Sequence, residues 1–123
     1  MALRAMSEAI ALAPSNLDMN LRARLHGYRG AAFKRLNRLD EAESELLLAK
    51  KWATENYEIS DVAYNLACIY AMSYRKQQML EQLSFLIQNQ SWKKVIKAKR
   101  EYFGNYWHDP DFQSLVNDDV SVS

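Results

Sequence analysis

The stretch HDPD, residues 108 to 111, gathers this chain's most reactive-looking groups: His108, Asp109 and Asp111 could share a metal ion or pass a proton. The same four residues also spell a helix start, with aspartate as the cap and proline at the first helical position, and that is the simpler reading of the run continuing into Phe112. Cys68 is the chain's single cysteine, so an intramolecular disulfide is excluded, and a reducing, cytoplasmic setting is the expected compartment. It has no histidine nearby in sequence and sits among small residues, which assigns it to packing rather than to nucleophilic chemistry. His26 has no cysteine or histidine at ligand spacing and is expected as a partly exposed helix residue. Gly-rich phosphate loops, nucleophile elbows and paired-carboxylate motifs are missing from the sequence. The expectation is a non-enzyme without cofactor or metal.

Charge says more than any motif. Sixteen basic and fifteen acidic residues leave a net charge of +1, so no bulk field draws the chain to nucleic acid or to an anionic membrane. The charges are segregated, however. Arg22, Arg24, Arg29, Lys34, Arg35 and Arg38 follow one another without an acidic residue between them, and Lys93, Lys94, Lys97, Lys99 and Arg100 form a second basic run. Acidic residues collect between the two, from Asp40 to Asp61.

Helices must position these groups. Nearly half of the 123 residues are hydrophobic, and there are only three glycines and two prolines, a composition that argues against disorder and against a turn-rich β-protein. Apolar residues recur at spacings of three and four. Ala2, Met6, Ala9 and Ile10 predict a helix over 2–13, ended by Pro14. Arg4 and Glu8 interrupt any apolar core that a signal peptide would need, and no segment reaches the roughly 18 uninterrupted apolar residues of a membrane span, so a soluble protein is expected.

Leu17, Leu21, Leu25, Tyr28 and Ala32 mark the face of a second helix running to about Leu36. Asp40 with Glu43 has the spacing of a capping box for a helix over 41–55. Ser60 or Asp61 is the expected cap of a fourth helix that ends near Ser73. Met79, Leu80, Leu83, Leu86 and Ile87 define a fifth. Ser91 caps a sixth carrying Trp92, Val95, Ile96, Phe103 and Trp107, and a short last helix carries Phe112 and Leu115.

The second to fifth of these helices repeat one another. Aligning residues 28–49 with 65–86 sets Gly30 against Ala67, Phe33 against Tyr70, Ala42 against Met79, Leu46 against Leu83 and Ala49 against Leu86. A small residue followed by an aromatic in the first helix, with small and bulky positions in the second, resembles the tetratricopeptide repeat. Ala2, Met6, Ala9 and Pro14 look like the second helix of a preceding copy. The spacing between copies exceeds the usual 34 residues, and His26 and Arg29 stand where that repeat carries apolar residues.

The resemblance implies an all-α fold of antiparallel helix pairs stacked as a short right-handed solenoid with a C-terminal capping helix. One domain over 1–116 is expected: a partial repeat at 2–14, repeats at about 17–56 and 60–90, a cap at 92–116, and a frayed tail over 117–123. Repeats of this kind often end in a similar Asp-Pro-Asp-Phe segment. Their function is binding, so the expectation is a scaffold or adaptor that holds a protein or peptide segment in a concave groove lined by first helices. Arg24, Tyr28, Arg35, Asn65, Met72, Lys93, Lys97 and Arg100 are the expected groove residues, and their charge favours a partner with acidic segments. Asn65 matches the asparagine that some such domains use to clamp a peptide carboxylate, but Gly27 and Ala31 stand where that clamp requires lysine and asparagine. A homodimer formed through the cut-off first repeat and the aromatic C-terminal segment is the alternative, followed by an enzyme and then a nucleic-acid-binding helical domain.

Overall fold

A computed structural model describes residues 19–117. Among them seven α-helices and one 3-10 turn follow one another, and no strand occurs. They are α1 (Met19–Arg35), α2 (Leu39–Trp52), α3 (Asn56–Met72), α4 (Lys76–Leu86), α5 (Ser91–Lys97), α6 (Arg100–Phe103), the 3-10 turn Gly104–Tyr106, and α7 (Pro110–Val116). The all-α expectation holds. The helix expected over 2–13, the partial repeat at 2–14 and residues 118–123 of the expected tail lie outside the described residues. The chain forms two compact units, Met1–Leu66 and Ala67–Ser123, whose boundary falls inside α3.

In the first unit α1 and α2 pack as a pair joined by three residues. The junction is a Schellman turn: Arg38 N–H donates to Phe33 O (2.9 Å), Asn37 N–H donates to Lys34 O (2.9 Å), and Asn37 takes φ 60°. Asparagine tolerates that left-handed conformation better than most residues, which lets a tight reversal form without glycine. The turn begins α2 earlier than the capping box predicted. Asp40 lies inside the helix, the N-cap is Arg38, and its guanidinium donates to both Glu41 oxygens (2.8 and 2.6 Å). Asp40 and Glu41 in the first turn still favour the helix through its dipole.

The face that α1 buries also differs from the expected one. Of the expected face Ala32 is buried, but Leu21 is 40 % and Tyr28 49 % exposed, and Ala23, His26, Gly27, Gly30, Phe33 and Lys34 are buried instead. The helix is turned so that Gly30 meets α2; a Cβ there would lie 2.7 Å from Leu46 Cγ and 3.3 Å from Ala42 O. Ala42, Leu46 and Ala49 complete that seam, all inaccessible to solvent. Close approach, rather than apolar bulk, decides the rotation.

α3 starts at Asn56, so Ser60 and Asp61 lie within it and do not cap it. The preceding turn is held from a distance: Asn20 Oδ1 accepts from Thr54 N (2.9 Å), Thr54 Oγ1 (2.6 Å) and Glu55 N (3.2 Å). Every position of α3 from Val62 to Ala71 is buried. A helix buried all round has no outward face on which polar residues collect, and Ala63, Ala67, Cys68 and Ala71 keep its girth small enough for that burial.

The second unit opens with the same turn. Arg75 N–H donates to Tyr70 O (2.8 Å), Tyr74 N–H to Ala71 O (3.4 Å), and Tyr74 takes φ 61°. Arg75 lies over the Tyr70 ring at 4.6 Å, as Arg38 lies over Phe33 at 4.7 Å. Met79, Leu83 and Leu86 of α4 are buried.

Beyond α4, the single helix expected from Ser91 to Trp107 is broken at Ala98 and Lys99 into α5, α6 and the 3-10 turn. Ser91 is not the cap either, because Asn89 Oδ1 accepts from both Ser91 N (3.0 Å) and Ser91 Oγ (2.7 Å). The break is followed by Asn105, whose Nδ2 donates to Ala71 O (3.0 Å), one of the terminal carbonyls of α3. α7 begins as expected: Asp109 accepts from Asp111 N and Phe112 N, with Pro110 at the first position. Phe103 stacks on Phe112 at 5.6 Å, and α7 packs on α4 and α5.

Candidate partner-binding site

In the first unit Arg24 of α1 meets Glu58 at the start of α3. Arg24 donates from Nε (3.2 Å) and Nη2 (2.7 Å) to the same oxygen, Oε1 of Glu58. Glu58 Oε2 is buried and accepts no hydrogen bond from any described residue, although the Glu58 side chain is only 7 % exposed. Such an acceptor is costly to leave unused.

One turn further along α3, Asp61 takes part in a second group. Lys34 is buried and donates to Asn65 Oδ1 (2.6 Å), while Asn65 Nδ2 donates to Asp61 O (3.0 Å). Lys34 also lies 5.1 Å from the Tyr64 ring centre. Burial holds the Asp61 carboxyl above the usual carboxylate range; the Lys34 ammonium opposes that shift and the Glu58 carboxylate adds to it.

Between these groups is a small notch of about 20 Å³. Its apolar lining comes from Ala23, Gly27 and Val62, its polar lining from Arg24, Glu58 and Asp61, and Tyr28 and Tyr57 complete it. A Cβ at Gly27, which lines the notch, would meet nothing within 4 Å. Tyr28 and Tyr57 are 49 % and 75 % exposed.

Of the expected groove residues, Arg24 and Tyr28 therefore meet at one site. Arg35 is exposed at the end of α1. Asn65 was expected to face a ligand, but it is 4 % exposed and its amide is engaged on both sides by Lys34 and Asp61. Its role is to hold a buried lysine. In the second unit Met72 is half-buried at the end of α3, Lys93 half-buried, Lys97 exposed at the end of α5, and Arg100 lies over the Trp107 ring at 5.3 Å. Tyr57, Glu58 and Val62 were missed. Tyr57 and Glu58 precede the expected start of α3, and only the ion pair with Arg24 reveals their place.

His26 also departs from expectation. It is 6 % exposed, with Nδ1 2.6 Å from Glu45 Oε2 and its ring 5.3 Å from that of Trp52. Arg29 Nη2 approaches Glu45 Oε1 at 3.3 Å. Thus His26 and Arg29 of α1 share one carboxylate of α2, a packing role for both side chains. Cys68 is buried and forms no disulfide.

His108 is exposed, and Asp109 and Asp111 both pair with Lys76 (2.9 and 2.8 Å). Among the described residues no group of three or more His, Cys, Asp or Glu side chains is arranged to hold a metal ion, and no helix is long and apolar enough to cross a membrane. No protein-family model, curated protein or solved structure matches the chain.

Proposed function

We propose that the chain is a noncatalytic scaffold of tetratricopeptide type, a short solenoid closed by a C-terminal cap, which holds a segment of another protein. The observation that carries this reading is the recurrence of one local design at a spacing of 37: Phe33 and Tyr70 under Arg38 and Arg75, Asn37 and Tyr74 in the left-handed region, and the buried positions 42, 46, 49 and 79, 83, 86. Repeated helix pairs of this kind create extended surfaces suited to binding. The notch beside Arg24, with two exposed tyrosines, is where a partner would dock first, because exposed aromatics supply contact area at little entropic cost.

The test is capture of partners with the immobilised chain, mapping of the bound segment, and replacement of Tyr28 and Tyr57 together by alanine. Both side chains are largely exposed, so the fold should survive and affinity should fall by at least tenfold. Unchanged affinity in the double variant refutes docking at this face.

A further inference from the structure

The notch beside Glu58 has features that specify what it takes. We propose that it is a socket for a single lysine side chain of the partner, with the primary ammonium seated between Glu58, Asp61 and the two tyrosines. This rests on the scaffold reading and adds to it the identity of the recognised side chain.

Three observations lead there. The first is an acceptor held in reserve: Arg24 donates from both Nε and Nη2 to Glu58 Oε1, and the buried Oε2 has no donor among the described residues. The second is a further carboxylate one turn on, at Asp61, which lines the same notch. Lys34 lies near that carboxylate and donates to Asn65 Oδ1 (2.6 Å). The third is size and lining. About 20 Å³ admits one water-sized group, which an ammonium is and a guanidinium is not. Tyrosine faces attract cations, and the apolar floor of Ala23, Gly27 and Val62 accommodates the methylene stem.

Arg24 is the one positive group that lines the socket, and its pairing with Glu58 limits its repulsion of a second cation. The preference is therefore for one isolated lysine rather than a basic run, which would meet Arg24 and the other arginines of α1.

The experiment titrates the isotope-labelled chain with the peptide acetyl-Gly-Lys-Gly-amide and follows its amide signals by NMR. The same peptide with acetylated lysine, with arginine, or with glutamate in its place supplies the comparison. The lysine peptide should give saturable shifts centred on residues 23–28 and 57–62, and each comparison peptide should bind at least fivefold more weakly. Gly27→Leu, which fills the notch, and Tyr57→Ala, which removes a highly exposed wall, should each weaken lysine binding at least fivefold while the spectrum stays that of the folded chain.

Equal response to the acetylated peptide, or shifts that map elsewhere, overturns the socket. If a captured partner still binds and ignores Gly27→Leu, the socket is wrong and the scaffold reading stands. If the lysine peptide binds as described while no partner segment can be mapped, the socket holds and the scaffold reading fails.

Discussion

Gly27 and Gly30 sit three residues apart on α1, and their replacement by alanine should move stability in opposite directions. Both gain the same helix propensity, on the order of 1 kcal/mol, because alanine loses less backbone freedom than glycine on folding. Only Gly30→Ala meets an obstacle. Its Cβ would lie 2.7 Å from Leu46 Cγ, a branch atom of a fully buried side chain that cannot simply swing aside, and 3.3 Å from the Ala42 carbonyl oxygen. Overpacking of a tight seam costs about 1–3 kcal/mol. The propensity term is common to both variants, so their difference isolates the seam. Gly27→Ala should stabilise by up to about 1 kcal/mol, Gly30→Ala should be neutral to destabilising by about 2 kcal/mol, and the two should differ by about 1–3 kcal/mol.

Urea unfolding followed by helical circular dichroism measures this directly. With a slope of about 2 kcal/mol per molar urea, the midpoints should separate by roughly 0.5–1.5 M. Coincident midpoints, or a Gly30→Ala variant more stable than Gly27→Ala, would falsify the close approach of α1 and α2 at Gly30. They would also remove the reason given for the rotated face of α1.

Tyr70→Ala should cost roughly 3–5 kcal/mol, seen as an equal loss in unfolding free energy, since it removes a buried ring that also carries Arg75. Asn20→Ala should lower stability by about 1–2 kcal/mol and speed amide exchange at Thr54 and Glu55, whose N–H groups both donate to its side chain. Asp109→Ala removes the cap of α7 and an ion pair to Lys76, for about 0.5–2 kcal/mol by urea titration. The Asp109 carboxyl is held below its ordinary range, chiefly by Lys76, so its stabilising contribution is present above the unfolded carboxyl range and lost as pH falls through the lower folded value. Asp61 has the opposite sign. Its carboxyl is raised by burial, so its contribution is most favourable below the unfolded value and declines as pH rises through the folded one. The Asp61→Asn variant should therefore be relatively more stable, against the parent chain, at pH 7 than at pH 3.

Helix identity was legible because the small and aromatic positions that form the seams, Phe33, Ala42, Leu46, Tyr70, Met79 and Leu83, recur with helical spacing in sequence. Helix starts were less so. Asn20 holds the Thr54–Glu55 turn from 34 residues away, and Asn89 rather than Ser91 supplies the acceptor before α5. A tyrosine at φ 61° gives no sequence signal at all; Tyr74 is held there by the Schellman hydrogen bonds around it. The site was legible only on its α1 side. Arg24 and Tyr28 stood out as an exposed helical face, but their neighbours Tyr57 and Glu58 lay in what the sequence marked as a turn, and His26 gave no hint of a partner 19 residues on at Glu45.

Much of the basic run on α1 is engaged within the chain. Arg22 lies over Trp52, Arg24 pairs with Glu58, Arg29 with Glu45, Lys34 with Asn65, and Arg38 with Glu41. Of the two α1 arginines expected in the groove, Arg24 is thus paired with Glu58 of the same chain, while Arg35 is exposed. A charge already satisfied inside a protein adds little to binding, whereas a buried acceptor without a donor gains whenever one arrives. Among the described residues of α1 and the start of α3, two buried polar atoms make no hydrogen bond, the donor Arg29 Nε and the acceptor Glu58 Oε2, and only Glu58 lines the notch. The proposed socket therefore calls for a ligand of opposite sign to the acidic segment expected from sequence, and the two are separated by one comparison: at the notch an acidic peptide should bind more weakly than a lysine-bearing one at every salt concentration.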